Sequence, residues 1–232
     1  MMRPFSLDAM LAATVLCAPA LASTCFGNSG AGRIEGAVAL PLAGANFAAY
    51  SELGLKLGRT WVHAQVSDVV LGAYSTLSRS TPDVQYVYGE TGLRNGGPMP
   101  PHRTHENGTS VDFMVPVRGR DGRPAPLPRT AHNHYGYDLE FDSAGQLGDL
   151  RIDFAAIAAH LAQLDVEARR HGFGIARVIL APEYIPKVLA TPAGQNIKSL
   201  PFMKTRPWVR HDEHYHVDFA VKCTPAAMHV SS

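Results

Sequence analysis

Apolar residues recur at helical spacing in two long stretches of the chain and follow strand-like patterns in several short ones. Residues 60–79, TWVHAQVSDVVLGAYSTLSR, place Val62, Val66, Val69, Val70, Ala73 and Leu77 on one side of a helix. Residues 153–171, DFAAIAAHLAQLDVEARRH, predict a second and clearer helix. Asp153 can cap its start, Arg169 and Arg170 suit its last turn, and Gly172 can end it. The β-formers Val84, Tyr86, Val87 and Tyr88 predict a strand, as do SVDFMV, IARVIL and HYHVDFAV. PEYIPKVLA reads as a short helix whose start is favoured by Pro182. Residues 91–104 form a Gly/Pro loop, and residues 117–148 are the longest irregular stretch, a length that usually marks function. No repeat of alternating strand and helix appears. The expected class is α+β, a single domain with a small, mostly antiparallel sheet flanked by helices.

The first 22 residues change the domain count. They carry one early Arg3, an apolar run from about Leu11 to Leu21, and the small-residue pattern Ala20-Leu21-Ala22. This predicts a secretory signal peptide over 1–22 and one domain over 23–232. No stretch reaches the roughly 18 apolar residues of a membrane span. The 21 basic and 20 acidic residues leave a net charge of +1. That balance gives no electrostatic case for nucleic acid or an anionic membrane surface. Of the three cysteines, Cys17 leaves with the signal. Cys25 and Cys223 remain, an even pair that an oxidising compartment would join as a disulfide clamping the termini.

Five of the eleven histidines fall in two short clusters, HRTHENGTSVD at 102–112 and HDEHYHVDF at 211–219. On a strand, His214, His216 and Asp218 share one face, while Tyr215, Val217, Phe219 and Val221 take the other. His105 and Asp112 are separated by a segment in which Gly108 permits a turn, so a loop imidazole and a strand carboxylate can converge. Two histidines, one aspartate and an open position match a catalytic zinc site. A lone H-x-H is most often an ordinary surface or core pair, and a lone H-x6-D is weaker still; together they point to a metal. Spacing alone names neither the metal nor the reaction. Glu106 does not complete an H-E-x-x-H motif, because position 109 is Thr. His63, His160 and His171 lie in helical stretches and read as surface or capping residues. His132 and His134 are a weaker candidate pair within the long loop.

GGPMPPHRTHENGTSVDF and RPWVRHDEHYHV resemble the paired signatures of penicillin-insensitive murein endopeptidases. These belong to a wider group of zinc peptidases that includes D-alanyl-D-alanine carboxypeptidases, dipeptidases and the Hedgehog domain. The likeness runs from about residue 90 to residue 222. It implies zinc bound by His105, Asp112 and His216, with His214 as the catalytic base. It makes His102 and His211 two further active-site histidines, stabilising an oxyanion, binding a substrate carboxylate or orienting a ligand. Some relatives carry a D-x-x-H segment; Asp142-Ser143-Ala144-Gly145 lacks the histidine, so one metal is expected. Arg206 and Trp208 read either as cleft residues or as an ion-pair partner and a core aromatic. The resemblance implies an exported, periplasmic peptidase cutting D-alanyl cross-links in peptidoglycan. A D-alanyl carboxypeptidase or dipeptidase is the nearest alternative, and a non-catalytic wall-binding or metal-binding protein on the same scaffold a remoter one.

Overall fold

His214–Phe219 lies second in a five-stranded sheet, ordered Ile175–Ile179, His214–Phe219, Ser110–Met114, Tyr86–Tyr88, Phe47–Ala49. The neighbours are antiparallel except the last two, which run parallel. The computed structural model describes residues 22–130 and 132–226. The signal-peptide expectation therefore lies outside the described residues, apart from Ala22.

Alternation in the strands divides the sheet into two faces. Val111, Phe113, Tyr215, Val217 and Phe219 enter the hydrophobic core. Each such fully buried side chain contributes roughly 1.5–3 kcal/mol relative to exposure. The helices Ala64–Ser80 and Phe154–Arg170 pack on one another and cover that face. Their aromatic and aliphatic stripes meet it through contacts such as Tyr74 against Phe113, with ring centroids 6.5 Å apart. The fold class is the α+β arrangement that the patterning predicts.

The first helix starts later than its apolar pattern, because Trp61–Val62 pairs instead with Val38–Ala39 as a strand. His63 caps it, accepting from Gln65 N at 3.2 Å. Asp153 caps the second helix through Ala156 N at 3.0 Å, and His171 ends it. His160 departs from expectation. It is neither surface nor cap but fully buried, with Nδ1 2.5 Å from the Tyr215 hydroxyl and its ring stacked on Tyr74. Its position three residues after Ile157 and four before Leu164 places it on the inward face of the helix.

Residues 117–148 also depart from a plain loop. They contain Val117–Arg118, Pro124–Ala125 and Gln146–Leu147, which join Leu150–Ile152 in a four-stranded sheet. The short helix Ile185–Leu189 follows the Ile175–Ile179 strand. Near the termini, Cys25 and Cys223 form the expected disulfide across 198 residues, with Cα atoms 4.8 Å apart. Phe26 bridges Thr224 beside it.

Candidate metal centre

Asp112 and His216 are Cα partners across adjacent antiparallel strands. Side chains of directly opposed residues leave the sheet on the same face, so the carboxylate and the imidazole meet at Asp112 Oδ1–His216 Nδ1, 2.9 Å. The other face of the same two strands is core. One alternating pattern thus builds both the hydrophobic packing and the polar site.

His105 reaches this pair from the loop. Its backbone has φ 72°, the only positive value of a non-glycine among the described residues. That conformation costs on the order of 1–2 kcal/mol, and the surroundings hold it. Glu106 N donates to Ser29 O and Gly97 N to Glu106 O. Gly92 lies so close that a Cβ there would stand 3.0 Å from the His105 carbonyl oxygen. Gly108 provides the expected turn with φ 76°. His105 Nε2 ends 3.1 Å from His216 Nδ1 and 3.3 Å from Asp112 Oδ1. All three side chains are buried.

Each of these side chains is aimed by a partner on its far side. His105 Nδ1 donates to Thr91 O at 3.1 Å, which leaves Nε2 as an acceptor toward the centre. His216 Nε2 lies 2.8 Å from Asp218 Oδ1 and donates to it, leaving Nδ1 turned inward. Asp218 is itself held by Ser110 Oγ at 2.6 Å and Arg177 Nε at 2.8 Å. Asp112 Oδ2 accepts from the Tyr137 hydroxyl at 2.9 Å, so Oδ1 is the oxygen free to face the histidines. Such outer partners fix tautomer and ring orientation in metal sites.

His102 is the fourth member. It sits with His105 and Asp112 in a group whose ligand atoms lie within 4.8 Å of one another, an arrangement that could hold a metal ion. Its Nε2 is 2.6 Å from Glu90 Oε2, and its Nδ1 is 3.8 Å from Asp112 Oδ2. Glu90 also takes a bond from Arg59. His216 stands nearer to both Asp112 and His105 than His102 does to Asp112, so the tighter trio is His105, Asp112 and His216.

The electrostatics divide the histidines. Burial lowers His105, and it pushes His211 down to about 3 and His214 to about 4, so these rings are neutral. Burial works against the charged form of His216 too, but Asp218 and Asp112 raise it to about 9. Burial likewise opposes charge on Asp112, yet His105 and His214 hold its carboxyl well below the usual range. Glu90 is kept low by bonds from His102 and Arg59 against the effect of burial. Two carboxylates thus flank His216 and favour positive charge at that point.

A cleft of about 210 Å³ opens onto the centre, lined among others by His102, Tyr137, Trp208, His211 and His214. The rings of His211 and His214 lie with centroids 4.5 Å apart, tilted by 35°. His211 Nδ1 donates to Val209 O at 3.0 Å, so its neutral ring offers Nε2 only as an acceptor. Trp208 is half-buried on the cleft wall, and the exposed Arg206 lies 3.7 Å from Glu183 in an adjoining hollow. His132 and His134 are exposed and outside the cluster. Asp142 serves a turn, accepting from Ala144 N and Gln146 N.

The sequence profile of the family described as penicillin-insensitive murein endopeptidase matches residues 25–231. The chain belongs to that family. A search of the curated proteins finds no match. Membership makes the chain a peptidase of a murein-cleaving family, which implies peptidoglycan as substrate and suggests action in the periplasm. Among the described residues no helix is long and apolar enough to cross a membrane.

Sequence reasoning missed several residues that surround this cluster. Glu90 and Tyr137 lie in segments with no informative period, although the length of the 117–148 stretch was a signal for Tyr137. Asp218 was placed on the correct strand face without a role. Arg177, a half-exposed strand residue, carried no signal.

Proposed function

We propose that the chain is an exported, zinc-dependent endopeptidase that hydrolyses D-alanyl cross-links in peptidoglycan, with His105, Asp112 and His216 holding the metal. The observation that carries this reading is the triangle of donor atoms, with edges of 2.9, 3.1 and 3.3 Å. A tetrahedral zinc with donors at about 2.0–2.1 Å has donor–donor edges of about 3.3–3.4 Å, so small adjustments seat the ion. The donor set of two imidazoles and one carboxylate, oriented from behind, suits zinc, and an ion seated there would take the place of the His216 Nδ1 proton. Zinc bound there would lower the pKa of a water and polarise the scissile carbonyl.

The chain's own residues supply the rest. His214 is neutral and lines the cleft, so it can take the proton of the attacking water and pass it to the leaving amine. His102, whose Nε2 is held by Glu90, can steady Asp112 or, when its ring carries both protons, donate from Nδ1 to substrate oxygen. Export through residues 1–22 accords with the Cys25–Cys223 disulfide, a bond that persists in oxidising compartments.

The test combines composition and product analysis. Elemental analysis of the purified mature chain should give about one zinc per chain. Digestion of intact sacculi should convert cross-linked muropeptide dimers to monomers. Release of free D-alanine without loss of dimers would favour the carboxypeptidase reading instead. A preparation without zinc that remains fully active would overturn the metal assignment.

A further inference from the structure

We infer that Glu213 is the positioning residue for His214, a role that rests on His214 being the general base. Glu213 is 2% exposed, and its Oε1 lies 3.0 Å from His214 Nδ1. A carboxylate oxygen accepts, so Nδ1 carries the proton and Nε2 keeps the lone pair. Among the described residues no protein group bonds Nε2, and the ring lines the cleft. Glu213 therefore selects the tautomer whose free nitrogen can accept a proton from water.

Glu213 is buried beside a second carboxyl, that of Asp212. Its second oxygen, Oε2, is buried without a donor, as is Asp212 Oδ1 next to it. Burial pushes Glu213 up to about 7 and, with Glu213 beside it, Asp212 up to about 6, and one proton shared between the two carboxyls would satisfy both oxygens. Asp212 Oδ2 accepts from Phe141 N at 2.8 Å, which anchors the pair, and Arg210 Nε stands 3.7 Å from Asp212 Oδ1. A buried carboxyl is costly unless its bonds are made. Here the pair places one acceptor, Glu213 Oε1, against the back of the imidazole.

The rings of the site are held in different ways. His105 and His211 give their Nδ1–H to backbone carbonyls, and His216 gives its Nε2–H to Asp218. His214, like His102 with Glu90, has a carboxylate behind it. A carboxylate there holds the ring in place and steadies the imidazolium that forms when Nε2 takes the proton. The proton then leaves from Nε2 to the departing amine, and Glu213 transfers nothing.

A double-mutant cycle on the zinc-loaded enzyme tests this. Glu213→Ala should lower kcat on cross-linked muropeptides about 10–100-fold, as removal of outer partners does, with KM and zinc content unchanged. In the His214→Ala background the same change should have no further effect, because Glu213 acts through His214. Nitrogen-15 NMR of the metal-free protein should show His214 protonated at Nδ1 alone, and a mixture of tautomers in Glu213→Ala. Should the alanine variant fold poorly, Glu213→Gln, which keeps volume, should show the same dependence on His214. Wild-type kcat in Glu213→Ala, an equal loss in both backgrounds, or an unchanged tautomer would overturn the inference. A fully active His214→Ala would instead sink the base assignment on which it rests.

Discussion

Asp218 Oδ1 stands 2.8 Å from His216 Nε2, two residues along the same strand face, and is tied in turn to Arg177 and Ser110. The imidazole is thus gripped from the side away from the centre. The strand's own period of two supplies both the imidazole and the carboxylate that aims it.

Replacing Asp218 with Asn should weaken zinc binding by about 10–100-fold, the usual effect of losing an outer partner. Competition against a chromophoric chelator measures it, with circular dichroism to show that the fold persists. Unchanged affinity would mean that the strand alone fixes the ring.

His214 and His216 should separate cleanly. His216→Ala removes a donor of the tight trio and should lose zinc and activity together. His214→Ala should keep its zinc while turnover falls by about 10²–10⁴-fold, the typical contribution of general acid–base catalysis. Zinc content and murein hydrolysis measured side by side decide it. Zinc loss in both variants would make His214 a ligand.

His160 should make the fold sensitive to acid. Burial holds it down at about 3, whereas in the unfolded chain it titrates near 6.5. Between those values the unfolded state binds a proton that the native state does not, so stability falls as pH falls. Between pH 6.5 and pH 5 this ring should cost about 2 kcal/mol of stability, at 1.36 kcal/mol per unit. Urea unfolding at several pH values should show a shallower slope for His160→Phe than for the wild type. Parallel slopes would remove His160 from the acid response.

Reduction of Cys25–Cys223 should lower stability by about 5 kcal/mol, since the bond joins residues 198 apart in sequence. Denaturant midpoints with and without reductant read this directly. No shift on complete reduction would show that the termini are held by other contacts.

Much of this was legible in the residues. The closing strand announced its two faces through simple alternation, and Gly108 announced the turn between His105 and Asp112. The helix around His160 announced an inward position as well, but a histidine there reads as polar until Tyr74, Tyr86 and Phe113 are seen around it. Phe47–Ala49 is too short to carry a period. Glu90 meets the site because its backbone pairs with Asp112 N at 3.0 Å, a long-range relation that no local pattern encodes. Glu213 was hidden in plain view, since its importance comes from the direction of one oxygen rather than from its spacing.

The pairing of Asp112 with His216 and of Phe113 with Tyr215 makes strand alignment an all-or-none matter. Sliding one strand by a single residue would send His216 toward the helices and Tyr215 into the cleft. Such a chain would expose aromatic surface and bury unpaired imidazole at once. Misaligned molecules can therefore neither pack a core nor bind an ion. Metal loading becomes a readout of correct folding, and a preparation's zinc-competent fraction should equal its correctly folded fraction.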